Sequence, residues 1–234
     1  MSNTSISNRS FLIPVAIAGI TGQCFLSIYF SGVLVPKELI TVLNSATQLS
    51  DIVTRHQSAI LLDAWLMGFG SFLSVIFYIG LVYISGAIIR FSGLMTIIAS
   101  AAVLAVALVD ITFMVAAANA AILGHAETTR IAFDFVAGRG EAFDYTFMYG
   151  PAPILIVSMG FVLLGSDIIP RFFGFAAIAV GIMFFIAGLL SIFYPHADAI
   201  TIIFEIVQLS RGVWVLTLSI FILLFRKGKR KWDT

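Results

Sequence analysis

Six apolar stretches dominate this chain of 234 residues: 11–33, 59–85, 93–122, 151–168, 172–194 and 203–225. A helix needs about 20 apolar residues to cross a hydrocarbon layer about 30 Å thick. Six such runs exceed what a chain this size could hide from water, because much of any folded surface stays exposed. Composition agrees: 60% of residues are hydrophobic and 11% charged, against about 25% charged in an ordinary soluble domain. No apolar/polar alternation runs over ten-residue blocks, so a β-barrel is excluded. The expected fold is therefore all-α, a polytopic transmembrane helical bundle with six transmembrane helices in one domain over 1–234.

The first stretch follows Arg9 and runs on to about Val33. That is too long for the roughly 7–15-residue core of a signal peptide. Gln23 stands where a lipoprotein cleavage site before Cys24 would need a small residue, so the helix is expected to be retained. Cys24 is the single cysteine, and no intrachain disulfide can form. With a net charge of +1, the chain carries no global field that would attract nucleic acid.

Lysine and arginine in short flanking segments set orientation. Arg9, Arg90, Arg171, Arg226, Lys227, Lys229, Arg230 and Lys231 fall on one side, and Lys37, Arg55, Arg130 and Arg139 on the other. The richer side is expected to be cytoplasmic, with both termini there, as in a multi-pass protein of a bacterial cytoplasmic membrane. The basic tail 226–231 can also touch anionic headgroups.

The longer loops, 34–58 and 123–150, lie on the other side with Glu38, Asp51, Glu127, Asp134, Glu141, Asp144 and Asp198. Ile40, Leu43, Leu49, Ile52 and Val53 recur at roughly helical spacing, which predicts a surface helix in the first loop. Phe133, Phe135, Phe143, Tyr145, Phe147 and Tyr149 beside charge predict an ordered interfacial cap in the second, and a lid is the alternative.

Small residues mark packing faces. Gly174, Gly181 and Gly188 repeat every seven residues, the third span is rich in alanine, and Gly68, Gly70 and Ser71 cluster in the second. Such faces let backbones approach closely, within the bundle or against a partner or second copy. The turn Ile88-Ile89-Arg90-Phe91-Ser92-Gly93 is echoed by Ile168-Ile169-Pro170-Arg171-Phe172-Phe173-Gly174. It is read either as a repeat of helices two and three in four and five or as convergence of two inside turns.

Ionisable groups inside a membrane are costly and therefore informative. Asp63 lies in the second span, Asp110 in the third, and Glu205 and Arg211 in the sixth with Gln208 between them. On the expected topology all fall in the outer half, so Asp63, Asp110, Glu205, Gln208 and Arg211 are expected to form one polar cluster. Gln23 of the first span adds an uncharged group. Arg211 keeps its charge and needs an anionic partner, for which Asp110 has the matching depth. Two readings stay open: a structural network that locks helices together, or a cavity that binds a small solute, an ion or a lipid headgroup.

His56, His125 and His196, each in a separate outer loop, could supply a catalytic zinc, but they lack HExxH or HxxxH spacing. No GxSxG elbow or P-loop lysine motif is present, and no lysine falls inside a predicted span to carry a Schiff base. No cofactor is expected. Three function classes follow: a membrane protein binding or transporting a small solute, an interaction subunit of a membrane complex, and an enzyme acting on lipid at the outer leaflet.

Gly165-Ser166-Asp167-Ile168-Ile169-Pro170-Arg171-Phe172-Phe173-Gly174, then Glu205 and Trp214, with Asp63 and Tyr83 earlier, carry a resemblance. In these motifs the chain resembles a family of bacterial six-helix membrane proteins catalogued only as a domain of unknown function. The resemblance implies a six-helix fold and no particular activity.

Overall fold

The computed structural model describes residues 4–34, 45–137, 150–194 and 198–229. Eight helices lie among them: α1 Thr4–Phe30, α2 Ala46–Arg55, α3 Gln57–Ile84, α4 Phe91–Ile122, α5 Ala126–Ala137, α6 Pro151–Leu164, α7 Arg171–Phe193 and α8 Asp198–Lys229. No strand occurs among the described residues. Five segments are long and apolar enough to cross a membrane: Phe11–Phe30, Gln57–Ile84, Phe91–Ile122, Arg171–Phe193 and Ile202–Leu224. Their outward faces carry large apolar side chains such as Ile17, Phe72, Leu108, Phe185 and Val213, as lipid-facing helices must.

The fourth expected span departs from the others. Helix α6 has 14 residues, about 21 Å at ~1.5 Å per residue, so by itself it falls short of a ~30 Å hydrocarbon layer. The expected end at 168 is too late. The helix stops at Leu164, and the turn after it is held by Ser166 Oγ, which accepts from the N–H groups of Ile168 and Ile169 at 3.3 and 3.4 Å. Ile168 and Ile169 are apolar but belong to this turn, and apolarity by itself cannot tell a helix from a buried turn.

Contacts along α4 give the depth of α6. Arg90 Nη1 donates to Gly165 O at 2.9 Å, and Thr96 Oγ1 to Ser158 Oγ at 3.0 Å. Leu155 shares a cavity wall with Val103 and Ala107. The two helices run antiparallel, and the register of these two hydrogen bonds brings Pro151 level with about Leu104. Helix α4 continues for 18 residues beyond that point, from Leu104 to Ile122, roughly 27 Å. A helix start leaves its first N–H groups without intrahelical partners. Proline at 151 and 153 removes two of them, and Ile154 N–H is donated to Gly150 O at 3.1 Å. Only the N–H groups of Gly150 and Ala152 then remain among the first four, so few donors are left unmated at this helix start.

The far end of α4 is covered instead by α2 and α5. Leu49, Ile52 and Val53 of α2 and Ala132 and Phe133 of α5 pack with Ile60, Ala64, Met114, Ala117, Ala118 and Ala121. The surface helix expected in 34–58 is thus realised as α2, whose apolar side turns onto the bundle. Ile40 and Leu43 lie outside the described residues. Phe135 of α5 stacks on Phe113 with centroids 4.8 Å apart, as an ordered cap requires, whereas Phe143, Tyr145, Phe147 and Tyr149 lie outside the described residues.

The main core fills the end that carries Arg90. Phe77, Leu81, Ile156, Met159, Leu163, Phe184 and Leu218 are its most deeply buried members. Glycine sets the spacing, as expected. A Cβ at Gly174 would stand 2.9 Å from Gly160 O, and one at Gly160 would stand 2.8 Å from Gly174 O. The α6–α7 hairpin therefore closes backbone to backbone. Helices α1 and α3 approach in the same way through Gly22 and Gly70.

Candidate functional site

One stripe of α3, Asp63-Met67-Ser71-Ser74-Tyr78, steps by three or four residues and so lies along one helix face. Met67, Ser71, Ser74 and Tyr78 line a cavity of about 50 Å³. Asp110 of α4, Leu155 of α6, and Gln208 and Arg211 of α8 close it. A water needs roughly 10–15 Å³ by the same kind of measure. The cavity therefore holds a few waters or one small ion or polar group, far below the 300–1,000 Å³ or so of a site for larger organic ligands.

Register places the carboxylates at its upper end. Gly22 faces Gly70 across the antiparallel α1–α3 pair, so Tyr29, seven residues on, faces Asp63, seven residues back. The Tyr29 hydroxyl donates to Asp110 Oδ2 at 3.0 Å. Asp63 lies within Coulombic reach of Asp110. Both carboxylates are buried, at 2% and 4% exposure, and one oxygen of each, Oδ1, is buried without a hydrogen-bond partner.

Helix α8 supplies the facing wall. Val207, Gln208, Arg211, Trp214, Val215, Leu218 and Ile222 form its buried stripe. Gln208 is 8% exposed, and neither atom of its amide has a hydrogen-bond partner. Arg211 is buried, within Coulombic reach of Tyr78. Beneath them, the Trp214 ring lies parallel to Tyr78, and its Nε1–H donates to Phe173 O at 3.0 Å. Gln23 of α1 packs on the Gly212 backbone and donates to Ser27 Oγ at 3.2 Å.

Four of the five expected cluster residues are thus brought together: Asp110, Gln208 and Arg211 on the cavity wall, and Asp63 at the head of the lining stripe. Glu205 is the exception. It is exposed, because at 3.6 residues per turn it falls off the stripe that Gln208 and Arg211 define. Proximity in sequence to Gln208 is not proximity in space. Tyr29, Ser71, Ser74 and Tyr78 were not singled out from the sequence. The periodicity of the α3 stripe would have found the last three, whereas Tyr29 needs the α1–α3 register.

His56 sits half-buried at the α2–α3 junction and His125 is exposed ahead of α5. His196 lies outside the described residues. Among the described residues, no group of three or more His, Cys, Asp or Glu side chains could hold a metal ion. No protein-family model, curated protein or solved structure matches the chain. The helices make this an integral membrane protein, and the reading of its role rests on the cavity.

Proposed function

We propose that this protein binds a small polar solute or ion in the cavity between α1, α3, α4, α6 and α8, as a transporter-like or ligand-binding membrane protein. Asp110, Gln208 and Arg211 would contact the ligand, with Asp63 supporting from the carboxylate end. The observation that carries this reading is the Gln208 amide. A buried amide left without partners costs about 1–3 kcal/mol, and a purely structural lock would be expected to mate it. The cavity volume favours a ligand of a few heavy atoms over an intact lipid headgroup.

The same proposal takes α6 as a short fourth span, giving six, with both termini on the arginine-rich cytoplasmic side of a bacterial membrane. It also places the chain in the bacterial six-helix family that its turn motif resembles. The interaction-subunit reading is favoured by no specific contact, because the glycine faces are used within the bundle.

The test is thermal unfolding of the purified protein against a panel of small anions, cations and zwitterions. A ligand present at 100 times its Kd stabilises by about 2.7 kcal/mol. At least one class is expected to raise the Tm of the natural protein, and Gln208→Leu is expected to abolish that rise. Without ligand, Gln208→Leu should unfold at the same temperature or higher, because an apolar side chain replaces an unmated amide. A destabilised Gln208→Leu protein, together with a panel that shifts nothing, would make the cluster a structural lock.

A further inference from the structure

A second cavity, of about 480 Å³, lies on the lipid-facing side of the bundle, between α4, α6 and α7. Its lining is apolar apart from Ser92 and Ser158, with no charged side chain among the described residues that form it. The floor is α6, which packs on both α4 and α7 and holds them apart. Gly181, which sits against the Val157 backbone, keeps that floor low. Phe91, Ile154, Phe161, Ile182 and Phe185 form the rim and are all strongly exposed, Phe91 at 79%. The groove follows α6 from Pro153 to Phe161, roughly 12 Å at ~1.5 Å per residue.

One end of the groove is charged. It closes at Phe91 and Ser92, the first turn of α4, and Arg90 immediately precedes them. The Arg90 guanidinium is exposed and held by a hydrogen bond to Gly165 O, the single one it makes among the described residues, out of five possible donors. Gly165 is what lets the guanidinium lie there, since a Cβ would stand 2.5 Å from Nη1. Arg171, also exposed, opens α7 at the same end. Asp167, in the turn between them, is not within ion-pairing distance of either arginine. The start of α4 adds the positive end of a helix dipole. An apolar slot one leaflet deep with a fixed guanidinium at its mouth matches the two parts of a phospholipid.

We propose that this groove holds one acyl chain of a phospholipid, with the lipid phosphate against Arg90 and Arg171. A guanidinium binds phosphate oxygens in a fork geometry, and the rim side chains and α6 floor surround the chain. The groove shares no lining residue with the polar cavity, so this site stands or falls separately from the proposed function.

The experiment is native mass spectrometry of the detergent-purified full chain. Palmitoyl-oleoyl phosphatidylglycerol is titrated in, with the diacylglycerol of the same chains as the headgroup-free comparison. One phosphatidylglycerol per chain is expected to persist at detergent concentrations that strip the diacylglycerol. Arg90→Gln should weaken it about fivefold, the effect of removing one basic group at a membrane surface. Ile182→Trp should displace it by filling the groove, with Met95→Trp doing the same from the opposite wall if the first variant folds poorly. Ile98→Trp, on an exposed part of α4 outside the groove, should change nothing. Equal retention by all variants would mean surface lipid only and would overturn the site. Equal retention of diacylglycerol would overturn the phosphate contact, and a dimer that Ile182→Trp disrupts would assign the groove to a second copy.

Discussion

The two ends of the bundle are built on opposite terms. At the Arg90 end, large side chains such as Phe77, Met159 and Leu163 interlock around glycine-closed helix pairs, and Thr96, Ser100 and Ser158 bond back to their own helices or to each other, leaving only the lone hydroxyls of Ser85 and Ser219 without partners among the described residues there. At the Asp63 end, alanines and two short helices form a thinner core, and below it lies a small polar cavity with unmated oxygens and an unmated amide. The first end shows what a membrane bundle needs in order to stand. The second holds polar groups that stability alone does not call for, and that difference points to where the protein acts.

The comparison can be broken or sharpened by substitution. The largest expected effect is at the Arg90 end: Leu163→Ala, at a fully buried position, should cost about 2–5 kcal/mol in detergent unfolding while leaving any solute-induced Tm rise intact. Next is Gly160→Val, which sets a branched side chain against the Gly174 backbone and should cost about 1–3 kcal/mol. Cross-linking between α6 and α7 would report the loosened hairpin. Tyr29→Phe should cost only about 0.6–1.7 kcal/mol, the range measured for hydrogen bonds between membrane helices, yet it should weaken ligand binding by freeing Asp110. If Tyr29→Phe proves as damaging as Leu163→Ala, the two ends do not differ as described. The smallest effect belongs to Arg130→Ala, which removes the exposed Arg130–Glu127 pair at 3.0 Å and should shift stability by less than about 0.5 kcal/mol.

Much of this was legible from residue order. The apolar runs located the five helices long enough to span, and the shorter α6, to within a few residues at most ends, and the cost of charge in hydrocarbon singled out Asp63, Asp110 and Arg211. Two limits had physical causes. Ile168 read as helix because hydropathy records burial and not backbone path, so the end of the short fourth span was set four residues past Leu164. Glu205 read as a cluster member because depth along a helix was known while rotation about its axis was judged by proximity alone.

What the sequence by itself determined is the solvent and the secondary structure. A chain this apolar must live in lipid, and lipid admits only backbones that satisfy their own hydrogen bonds. The tertiary structure alone decided which polar groups meet. Tyr29 reaches Asp110 across 81 positions of chain, and Gln208 comes onto one cavity wall with Asp110 because several helices pack around that space. The reason is that helix formation is settled within each segment, whereas a cavity depends on the register and rotation of several segments at once, which only their mutual packing sets.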